Sequence, residues 1–560
     1  MARKVFISFL GTGFYGKCQY EYRNFCSSNT RFIQHATLEM LEAKKWEKGD
    51  VGYVLLTDEA RSTNWTIENG RRYNWSTKSE EEYIDLVTTL NNMELPFEVK
   101  GVRIPKGIDE DEIWRIFDIV YNLLNDSDSL YVDLTHGYRY LPMFMLVMGN
   151  YSKFLKKVKV CSLTYGNYEE RKDNKAPFVN LMPFSTLQDW TFAAADFKEN
   201  GYSQRLFQLS KEQLTSAYKN ETSPDKEDVF LNDCLASLSK IIYQRLTCRG
   251  IDVYKSINVN KAVHKLDSFE TNIKSQFLPL IDEMRDALKD FNIHPDIGNL
   301  FSAAKWCFKK HLYQQAVTFL EEGVITFFCS RHGIEYNDNK RKLVTSAFNI
   351  KQQNIPREMQ RVEDESWRPI LEDILNDEFL SNKTFVSSVS DLIDFRNDYN
   401  HCGFRKGALP ANTIKDKTGI FISSIIDVIC CSSYEECIPI LPRLFLNLSN
   451  HPSEQWSEEQ LAAAREYGNI EDMEFPDIPP GATEEELMNF AEKTAKEILQ
   501  KAENADITVH VMGEMTFTYA LISRLKAEGI TCVASTTDRI AEEKDGVKTS
   551  KFKFVRFREY

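Results

Sequence analysis

The sequence predicts a multidomain protein in which an α/β domain, an all-α region and a second, smaller α/β domain follow one another. Strands alternate with helices over residues 1–187, a pattern typical of a doubly wound parallel sheet. Long helical stretches with few strand signals fill residues 188–442, and the alternation of strands and helices returns over residues 443–560. At 560 residues the chain is too long to form one hydrophobic core, so we predict these three parts as separate domains.

The composition is ordinary for a globular protein and narrows the possible functions. Hydrophobic residues make up 42% of the chain and charged residues 27%. The net charge of −14 argues against a large surface that coats nucleic acid, so we expect any RNA contact to be confined to a cleft. No apolar run is long enough to span a membrane, and the apolar stretch at residues 4–10 is predicted to be a strand rather than a signal peptide.

The cysteines indicate a reducing compartment. The twelve cysteines form no CxxC pair and have no histidine partners at the spacing of a zinc site. We therefore expect free thiols, a cytoplasmic location and no metal site.

Small and polar residues follow three of the strands predicted in the first domain. Because ligands bind at the carboxyl ends of the strands in a doubly wound sheet, these residues form a candidate binding site. They are Gly11, Thr12 and Gly13, then Asp58, and then Thr135, His136, Gly137 and Arg139.

The third of these clusters has the most specific pattern. A buried strand ends near Asp133, and a helix is expected from Leu141 onward. Backbone N–H groups before such a helix, together with Thr135 and Arg139, would form a cradle for phosphate. The alternative is that Asp133 is buried and only caps its own turn.

The stretch Leu392–His401 carries the candidate catalytic residues. Its apolar residues recur at helical spacing, which predicts an amphipathic helix. Arg396 and His401 lie five residues apart on it, with Asn397 beside the arginine. A histidine can exchange a proton with a ribose 2′-hydroxyl, and an arginine can hold a phosphate and neutralise the charge that grows on it.

A structural role for Arg396 is the alternative. It could form an ion pair with Asp394 or Asp398 on the same helix. Glu321-Glu322 and Trp306 lie on predicted helices that can pack nearby, and Trp306 is expected in the core.

Polar residues also follow the strands of the last domain, which are predicted at Leu444–Ser449, Ile507–Met512 and Thr531–Ser535. The resulting candidate site contains Asn450, His451, Gly513, Glu514, Thr516, Ser535, Thr536, Thr537 and Arg539. Glu514 or His451 would move a proton, and Arg539 with its neighbouring threonines would hold phosphate at a helix start.

Two motifs in this order resemble a known family over roughly residues 1–440. The first sheet with Asp133-Leu134-Thr135-His136-Gly137-Tyr138-Arg139 resembles the Rossmann-like CARF sensor domains of type III CRISPR accessory proteins. The stretch Arg396-Asn397-Asp398-Tyr399-Asn400-His401 resembles the motif of their helical HEPN ribonuclease domains, an arginine followed after four to six residues by a histidine.

This resemblance implies an activator, a substrate and an assembly. The activator would be a cyclic oligoadenylate, with cyclic tetraadenylate favoured over cyclic hexaadenylate, bound by paired sensor domains of a homodimer or higher homo-oligomer. Two Arg396–His401 pairs would form one composite, metal-independent site for single-stranded RNA. Arg396 and His401 inherit the catalytic role, Asn397 is the polar residue beside the arginine, and Thr12, Thr135, His136 and Arg139 inherit contacts to the activator.

The last domain resembles small Rossmann-like proteins that occur singly beside type III CRISPR loci. The stretches that carry this resemblance are Asn447–Pro452, Met512–Thr516 and Ala534–Arg539. By analogy with proteins that occur beside type III CRISPR loci, the domain is a candidate ring nuclease that destroys the activator. A second sensor and a packing module are the alternatives.

The leading hypothesis is therefore an endoribonuclease that is activated by a cyclic oligoadenylate and limited by its last domain. A ligand-responsive transcription regulator is an alternative, but it would need a helix-turn-helix and a basic face, which the acidic helical region does not offer. Another is a nucleotide-processing protein in which the helical region only dimerises.

Overall fold

The computed structural model describes residues 2–219, 225–267, 277–430, 442–502, 505–544 and 547–560. The side chains of residues 217–219, 539–544 and 547–551 lie outside this description. The chain divides into two compact units, Met1–Phe192 and Ala193–Tyr560. An N-terminal sheet, a helical region and a C-terminal sheet follow one another, which confirms the predicted order of α/β and helical parts. The boundaries between the three predicted domains remain predictions.

The first unit is built on an eight-stranded sheet with helices packed against it. Its strands and those of a separate small hairpin are β1 Lys4–Leu10, β2 Gln19–Tyr22, β3 Phe25–Cys26, β4 Val51–Leu56, β5 Arg71–Asn74, β6 Ser79–Glu82, β7 Glu98–Arg103, β8 Ser129–Asp133, β9 Lys159–Gly166 and β10 Lys175–Asn180. Its helices are α1 Ile33–Met40, α2 Asp58–Ala60, α3 Leu86–Asn91, α4 Glu110–Leu123, α5 Leu141–Leu155 and α6 Met182–Asn200, which runs into the second unit.

The strand order is β3-β2-β10-β9-β8-β1-β4-β7, and the five strands from β9 to β7 are parallel. After β1 the chain builds β4 and β7 on one side and then returns to the other side for β8 and β9. Such a reversal opens a crevice at the carboxyl ends of the strands, here between β1 and β8. This crevice is where the residues after those two strands meet.

Strand β1 is buried on both faces, as expected for the centre of a parallel sheet. Ile7 and Phe9 pack in the cluster that includes α4 and α5, whereas Phe6 and Leu10 pack in the cluster on the opposite face. Ser8 is the polar exception, and its hydroxyl donates a hydrogen bond to the buried Asp133 of β8. The sheet is therefore fixed by apolar packing along β1 and by one polar contact near its carboxyl end.

The second unit begins with a helical region. Its helices after α6 are α7 Gln204–Lys219, α8 Lys226–Leu246, α9 Gly250–Lys255, α10 Ile257–Asp267, α11 Leu278–Leu288, α12 Gly298–Lys309, α13 Tyr313–Arg331, α14 Lys342–Gln353, α15 Arg368–Leu375, α16 Lys383–Asn400 and α17 Ile414–Cys430. Helix α13 contacts α12, α14, α16 and α17, and most of its side chains are buried. Within the described ranges, no helix is both long and apolar enough to cross a membrane.

The C-terminal part of this unit is a five-stranded sheet in the order β12-β11-β13-β14-β15. Its elements are β11 Arg443–Ser449, α18 Glu458–Arg465, β12 Asn469–Met473, α19 Glu484–Ala502, β13 Asp506–Met512, α20 Met515–Ala527, β14 Thr531–Lys544 and β15 Val547–Glu559. The first four strands are parallel and β15 is antiparallel. Helices α19 and α20 cover one face, and α18 covers the other.

Two features of this sheet differ from the prediction. Strand β12 was not expected, because its sequence Asn-Ile-Glu-Asp-Met is mostly polar, as suits an edge strand. The helix start expected around Thr536 and Thr537 is wrong. Strand β14 continues through both residues to Lys544, because β15 pairs with it along its length.

Gly468 gives a direct test of how β12 is positioned. Its φ of +153° and its approach to the backbone of Arg443 leave no room for a side chain, since a Cβ would lie 2.3 Å from the Arg443 carbonyl. We expect Gly468→Ala to weaken the local stability of β11 and β12 by about 2 kcal/mol or more. Hydrogen exchange of peptides covering residues 443–473 measures this. Gly481→Ala, where a Cβ meets nothing within 4 Å, is the matched control, and equal protection in both variants would contradict the account.

Candidate functional site

The loop Gly11–Gly13 after β1 is held by side chains that reach its carbonyl groups. The Asn64 amide donates to the carbonyls of Gly11 and Gly13 at 2.8 and 2.9 Å. Arg72 donates to the carbonyls of Thr12 and Gly13 at 2.5 and 2.7 Å. In a trans peptide the next N–H points opposite to the carbonyl. The N–H groups of Thr12, Gly13 and Phe14 are therefore turned away from Asn64 and Arg72.

These three N–H groups make no backbone hydrogen bond to another described residue. A run of free N–H groups in a loop is a concave anion-binding arrangement. The geometry thus fits the expectation that Gly11, Thr12 and Gly13 face a phosphate. Asn64 and Arg72 were missed by sequence reasoning, because they lie 53 and 59 residues from the carbonyl of Gly11 or Gly13 that they bind and belong to no motif.

Asp133 lies fully buried at the end of β8, and its carboxylate accepts hydrogen bonds from nearby residues. It accepts hydrogen bonds from Ser8 Oγ at 2.6 Å, from Thr135 Oγ1 at 2.5 Å and from Thr135 N at 3.1 Å. Burial raises the pKa of this carboxyl to about 6. Thr135 Oγ1 also accepts from Gly166 N at 2.8 Å. The Thr135 hydroxyl therefore holds the turn, and Asp133 caps that turn as the structural alternative anticipated.

His136 and Gly137 lie in the crevice beside the loop after β1. His136 stacks on Tyr15 with ring centroids 4.2 Å apart, and burial lowers the pKa of its imidazole to about 4. Gly137 has a φ of +104°, and a Cβ there would lie 2.9 Å from Leu141 and 3.2 Å from Phe9. A neutral aromatic ring and a glycine are thus packed at this strand end.

The other two predicted residues of this domain lie at its surface. Arg139 is exposed just before α5 and has no hydrogen bond or ion pair within the described residues. Asp58, after β4, forms an ion pair with Arg103 of β7. The structure brings together the residues after β1 and β8, whereas Asp58 is engaged with its neighbouring strand.

Arg396 is half-buried on α16, and its ionic partner is Glu321 of α13. Its Nε lies 3.2 Å from Glu321 Oε2, without the alignment of a hydrogen bond. Glu321 is buried, and burial raises the pKa of its carboxyl to about 7 even though Arg396 opposes this shift. The two carboxylates proposed as alternative partners are engaged elsewhere, since Asp394 pairs with Arg405 and Asp398 accepts from Leu409 N.

His401 ends α16 in a different environment. Its backbone N–H donates to the Asn397 carbonyl, and its imidazole is exposed and makes no hydrogen bond or ion pair within the described part of the chain. The half-buried Asn397 lies one residue after Arg396. Residues five apart on an α-helix point about 140° away from each other. One copy of α16 therefore does not direct Arg396 and His401 at the same phosphate.

Three predicted residues of the C-terminal site, Gly513, Glu514 and Thr516, have structural partners. Glu514 caps α20 and accepts from Thr516 N, Phe517 N and Thr516 Oγ1 at 3.1, 2.8 and 2.7 Å, and these hydrogen bonds lower the pKa of its carboxyl. Gly513 lies against Phe475, where a Cβ would approach within 2.2 Å. The N–H groups at this helix start are therefore already occupied by Glu514.

The remaining predicted residues follow or lie in two strands, and both groups reach Met512 at the end of β13, since Asn450 N donates to its carbonyl and Ser535 N to its sulfur, each at 3.3 Å. Asn450 and His451 lie in the loop after β11, while Ser535, Thr536 and Thr537 lie within β14. Arg539 belongs to the same strand, and its side chain lies outside the described residues.

Ser535 ends a hydrogen-bond chain through three residues that sequence reasoning missed. Ser535 Oγ lies 2.8 Å from His510 Nε2, and His510 Nδ1 lies 2.8 Å from Asn447 Oδ1. Asn447 Nδ2 donates to Asp472 Oδ1 at 2.6 Å. The available signal was a polar residue in the middle of each apolar strand, Asn447 in β11 and His510 in β13, since a buried polar residue is the informative exception in such a strand.

The comparisons with known proteins point to CRISPR-associated proteins. Residues 443–558 match the family described as "Uncharacterized protein MJ1673 family". The chain is 26% identical over 275 residues to the CRISPR-associated protein MJ1674 of Methanocaldococcus jannaschii, a match that covers 45% of this chain and 40% of that protein. The chain thus spans about two fifths of the length of this curated relative.

Solved structures also match, among them one at low sequence identity. It is Csm6 of Enterococcus italicus bound to cyclic hexa-2′-fluoro-hexa-dAMP, with a TM-score of 0.36 and 11% identity over 78% of this chain and 96% of that one. A TM-score this low does not establish a shared fold.

The buried imidazole of His510 predicts a pH-dependent stability. Burial lowers its pKa to about 4, whereas an unfolded histidine titrates near ~6.5. Between these values the unfolded chain binds more protons than the folded chain, so stability falls as the pH falls. We expect the stability advantage of the wild type over His510→Gln to shrink by on the order of 2 kcal/mol between neutral pH and about pH 4.5.

Hydrogen exchange of the β13 amides, corrected for the intrinsic exchange rate at each pH, measures this difference. The comparison with His510→Gln cancels the other titrating groups. An advantage that stays constant across the range would contradict the burial of a neutral imidazole.

Proposed function

We propose that this protein is a CRISPR-associated endoribonuclease that cleaves single-stranded RNA when a cyclic oligoadenylate binds its N-terminal sheet. The observation that carries the proposal is the arrangement of α16, which presents a half-buried arginine backed by Glu321 and an exposed histidine at its end. The similarity to the CRISPR-associated protein MJ1674 supports the placement in CRISPR defence.

The chemistry assigned to α16 needs no metal ion. Arg396 holds the scissile phosphate and neutralises the charge that develops on it. His401 transfers a proton at the ribose 2′-hydroxyl or at the leaving oxygen. Attack by the 2′-hydroxyl leaves a 2′,3′-cyclic phosphate end, and DNA lacks this nucleophile. Glu321 pairs with the guanidinium of Arg396 and keeps the arginine side chain in position when no RNA is bound.

The site is completed by a second copy of the chain. Arg396 and His401 point about 140° apart on one helix, so two α16 helices are needed to surround one phosphate. The α5 helix supports self-association, because Met143, Val147 and Phe154 lie on one face and are 70%, 62% and 63% exposed. A homodimer thus supplies both the paired sensor domains and the composite RNA site.

The activator binds at the crevice between β1 and β8. The free N–H groups after β1 and the exposed Arg139 supply contacts to its phosphates, and cyclic tetraadenylate is favoured over cyclic hexaadenylate. Binding there shifts the assembly toward the arrangement that cleaves RNA. The C-terminal domain degrades the activator and ends the response.

Changes at Arg396 and His401 test the nuclease. We expect Arg396→Ala or His401→Ala to reduce RNA cleavage by roughly a hundredfold or more, because each removes a group that acts on the reacting phosphate. Affinity for cyclic tetraadenylate should not change, and cleavage by the wild type should persist with a chelator. Cleavage of a labelled RNA, followed on a denaturing gel, measures the rate.

Arg405→Ala is the matched control, since Arg405 lies nearby and, among the described residues, pairs with Asp394. It should leave cleavage near the wild-type rate. Robust cleavage by the Arg396→Ala, His401→Ala double variant would contradict the assignment.

A change at Arg139 tests the activator site. We expect Arg139→Ala to raise the concentration of cyclic tetraadenylate needed for half-maximal RNA cleavage roughly tenfold, on the order of 1.4 kcal/mol, because one charge-assisted contact is lost. Arg115→Ala on α4 is the control, since Arg115 is exposed and its ion pair, within the described part of the chain, is with Glu112 of its own helix. Superimposable activation curves for the wild type and Arg139→Ala would place the activator elsewhere.

A further inference from the structure

A chain of hydrogen bonds crosses four neighbouring strands of the C-terminal sheet. Each strand contributes one residue in the order of the sheet, namely Asp472 of β12, Asn447 of β11, His510 of β13 and Ser535 of β14. Asn447 is directly opposite both Asp472 and His510 in the strand register. The first three residues are thus fixed by the sheet itself, and the serine is the end of the chain.

The hydrogen-bond partners determine where the proton of His510 lies. Asn447 Nδ2 has two acceptors, Asp472 Oδ1 at 2.6 Å and the His451 carbonyl at 3.0 Å, so it is the amide's donor side. Asn447 Oδ1 therefore accepts, and His510 carries its proton on Nδ1. His510 Nε2 is then unprotonated and accepts the hydroxyl proton of Ser535 across 2.8 Å.

The surroundings hold this pair in place and leave the serine accessible. His510 is 2% exposed, and its ring lies among Phe445, Trp456 and Phe557. Burial keeps the imidazole neutral, and its Nε2 lone pair faces the serine hydroxyl. Ser535 is only half-buried, and its oxygen also accepts from Gln460 Nε2 at 3.2 Å. A serine bonded to a histidine whose other nitrogen is oriented by a third group is the arrangement of an activated nucleophile.

We propose that Ser535 is a catalytic nucleophile with His510 as its general base, and that it cleaves a phosphodiester of the cyclic oligoadenylate. Asn447 and Asp472 are positioning residues that fix the tautomer and orientation of His510. The choice of substrate rests on the proposed function, whereas the nucleophile rests on the geometry alone.

The reaction proceeds in two balanced steps. Ser535 Oγ bonds to phosphorus and gives its proton to His510 Nε2, the bond from phosphorus to the leaving ribose oxygen breaks, and that oxygen takes the proton. The product is a serine-bound phosphodiester and an opened ring. Water then attacks the same phosphorus and gives one proton to His510, which returns it to Ser535 Oγ as the serine–phosphorus bond breaks. The sum is hydrolysis of one phosphodiester without any part for a 2′-hydroxyl.

This independence from the 2′-hydroxyl provides the test. The probe is cyclic tetradeoxyadenylate, a ring that lacks every 2′-hydroxyl, and the parent protein is the full chain with Arg396→Ala and His401→Ala. We expect the parent to open the ring to a linear product, and Ser535→Ala or His510→Gln to slow this by about a hundredfold or more. Thr531→Ala, which removes a hydroxyl from the same strand away from His510, should match the parent.

A second measurement examines the nucleophile without the substrate. A fluorophosphonate probe should label Ser535 in the full chain, as shown by mass spectrometry of its peptide, and the label should be lost in His510→Gln. An unlabelled Ser535 in the parent overturns the proposed nucleophile. Labelling with an intact ring overturns only the substrate.

A ring opened equally fast by Ser535→Ala overturns the proposal and shows that the four residues only satisfy one another's hydrogen bonds. RNA cleavage by the chain that keeps Arg396 and His401 is a separate readout. Its absence, with Ser535 labelled and the ring opened, overturns the proposed ribonuclease and leaves this inference standing.

Discussion

Polar side chains buried within the sheets or beside them must find hydrogen-bond partners, and both sheets meet this requirement. Leaving one such group unpaired costs about 1–3 kcal/mol, which is a sizeable part of the stability of a domain. In the first sheet, Asn64 and Asp133 bind the turns that follow β1 and β8. In the last sheet, Asn447 links Asp472 to His510. Satisfying these groups fixes the loops on which the candidate sites are built.

The helical region places its charged groups under a different constraint. Glu321 is buried while Arg396 is half-buried, and the pair lies at 3.2 Å without a well-aligned hydrogen bond. Burial raises the pKa of Glu321 to about 7, so this carboxyl gains a proton near neutral pH more readily than an exposed glutamate. In the proposed ribonuclease, this ion pair positions the guanidinium without occupying its N–H groups in an aligned hydrogen bond to Glu321. In the proposed ribonuclease, the direction of His401 away from Arg396 means that a second copy of the helix completes the site.

The sequence predicted the helices and strands better than the side-chain contacts of the candidate site residues. Strands β1, β4, β8 and β13 were expected because apolar runs end in small or polar residues, and Glu321 was named because its helix was expected to pack near Arg396. Asn64, Arg72 and Asp472 were not found, because their roles depend on contacts across long separations in the chain. The helix start predicted around Thr536 and Thr537 was wrong, because pairing with β15 extends β14 through these residues.

We propose that a cyclic oligoadenylate activates RNA cleavage by this chain. The most direct measurement is the rate at which the purified full-length protein cleaves a labelled single-stranded RNA, alone, with cyclic tetraadenylate and with linear tetraadenylate. We expect slow cleavage alone or with the linear form and rapid cleavage with the ring, with products that end in a 2′,3′-cyclic phosphate. A rate that does not respond to the ring, or cleavage that gives other ends, would contradict this proposal.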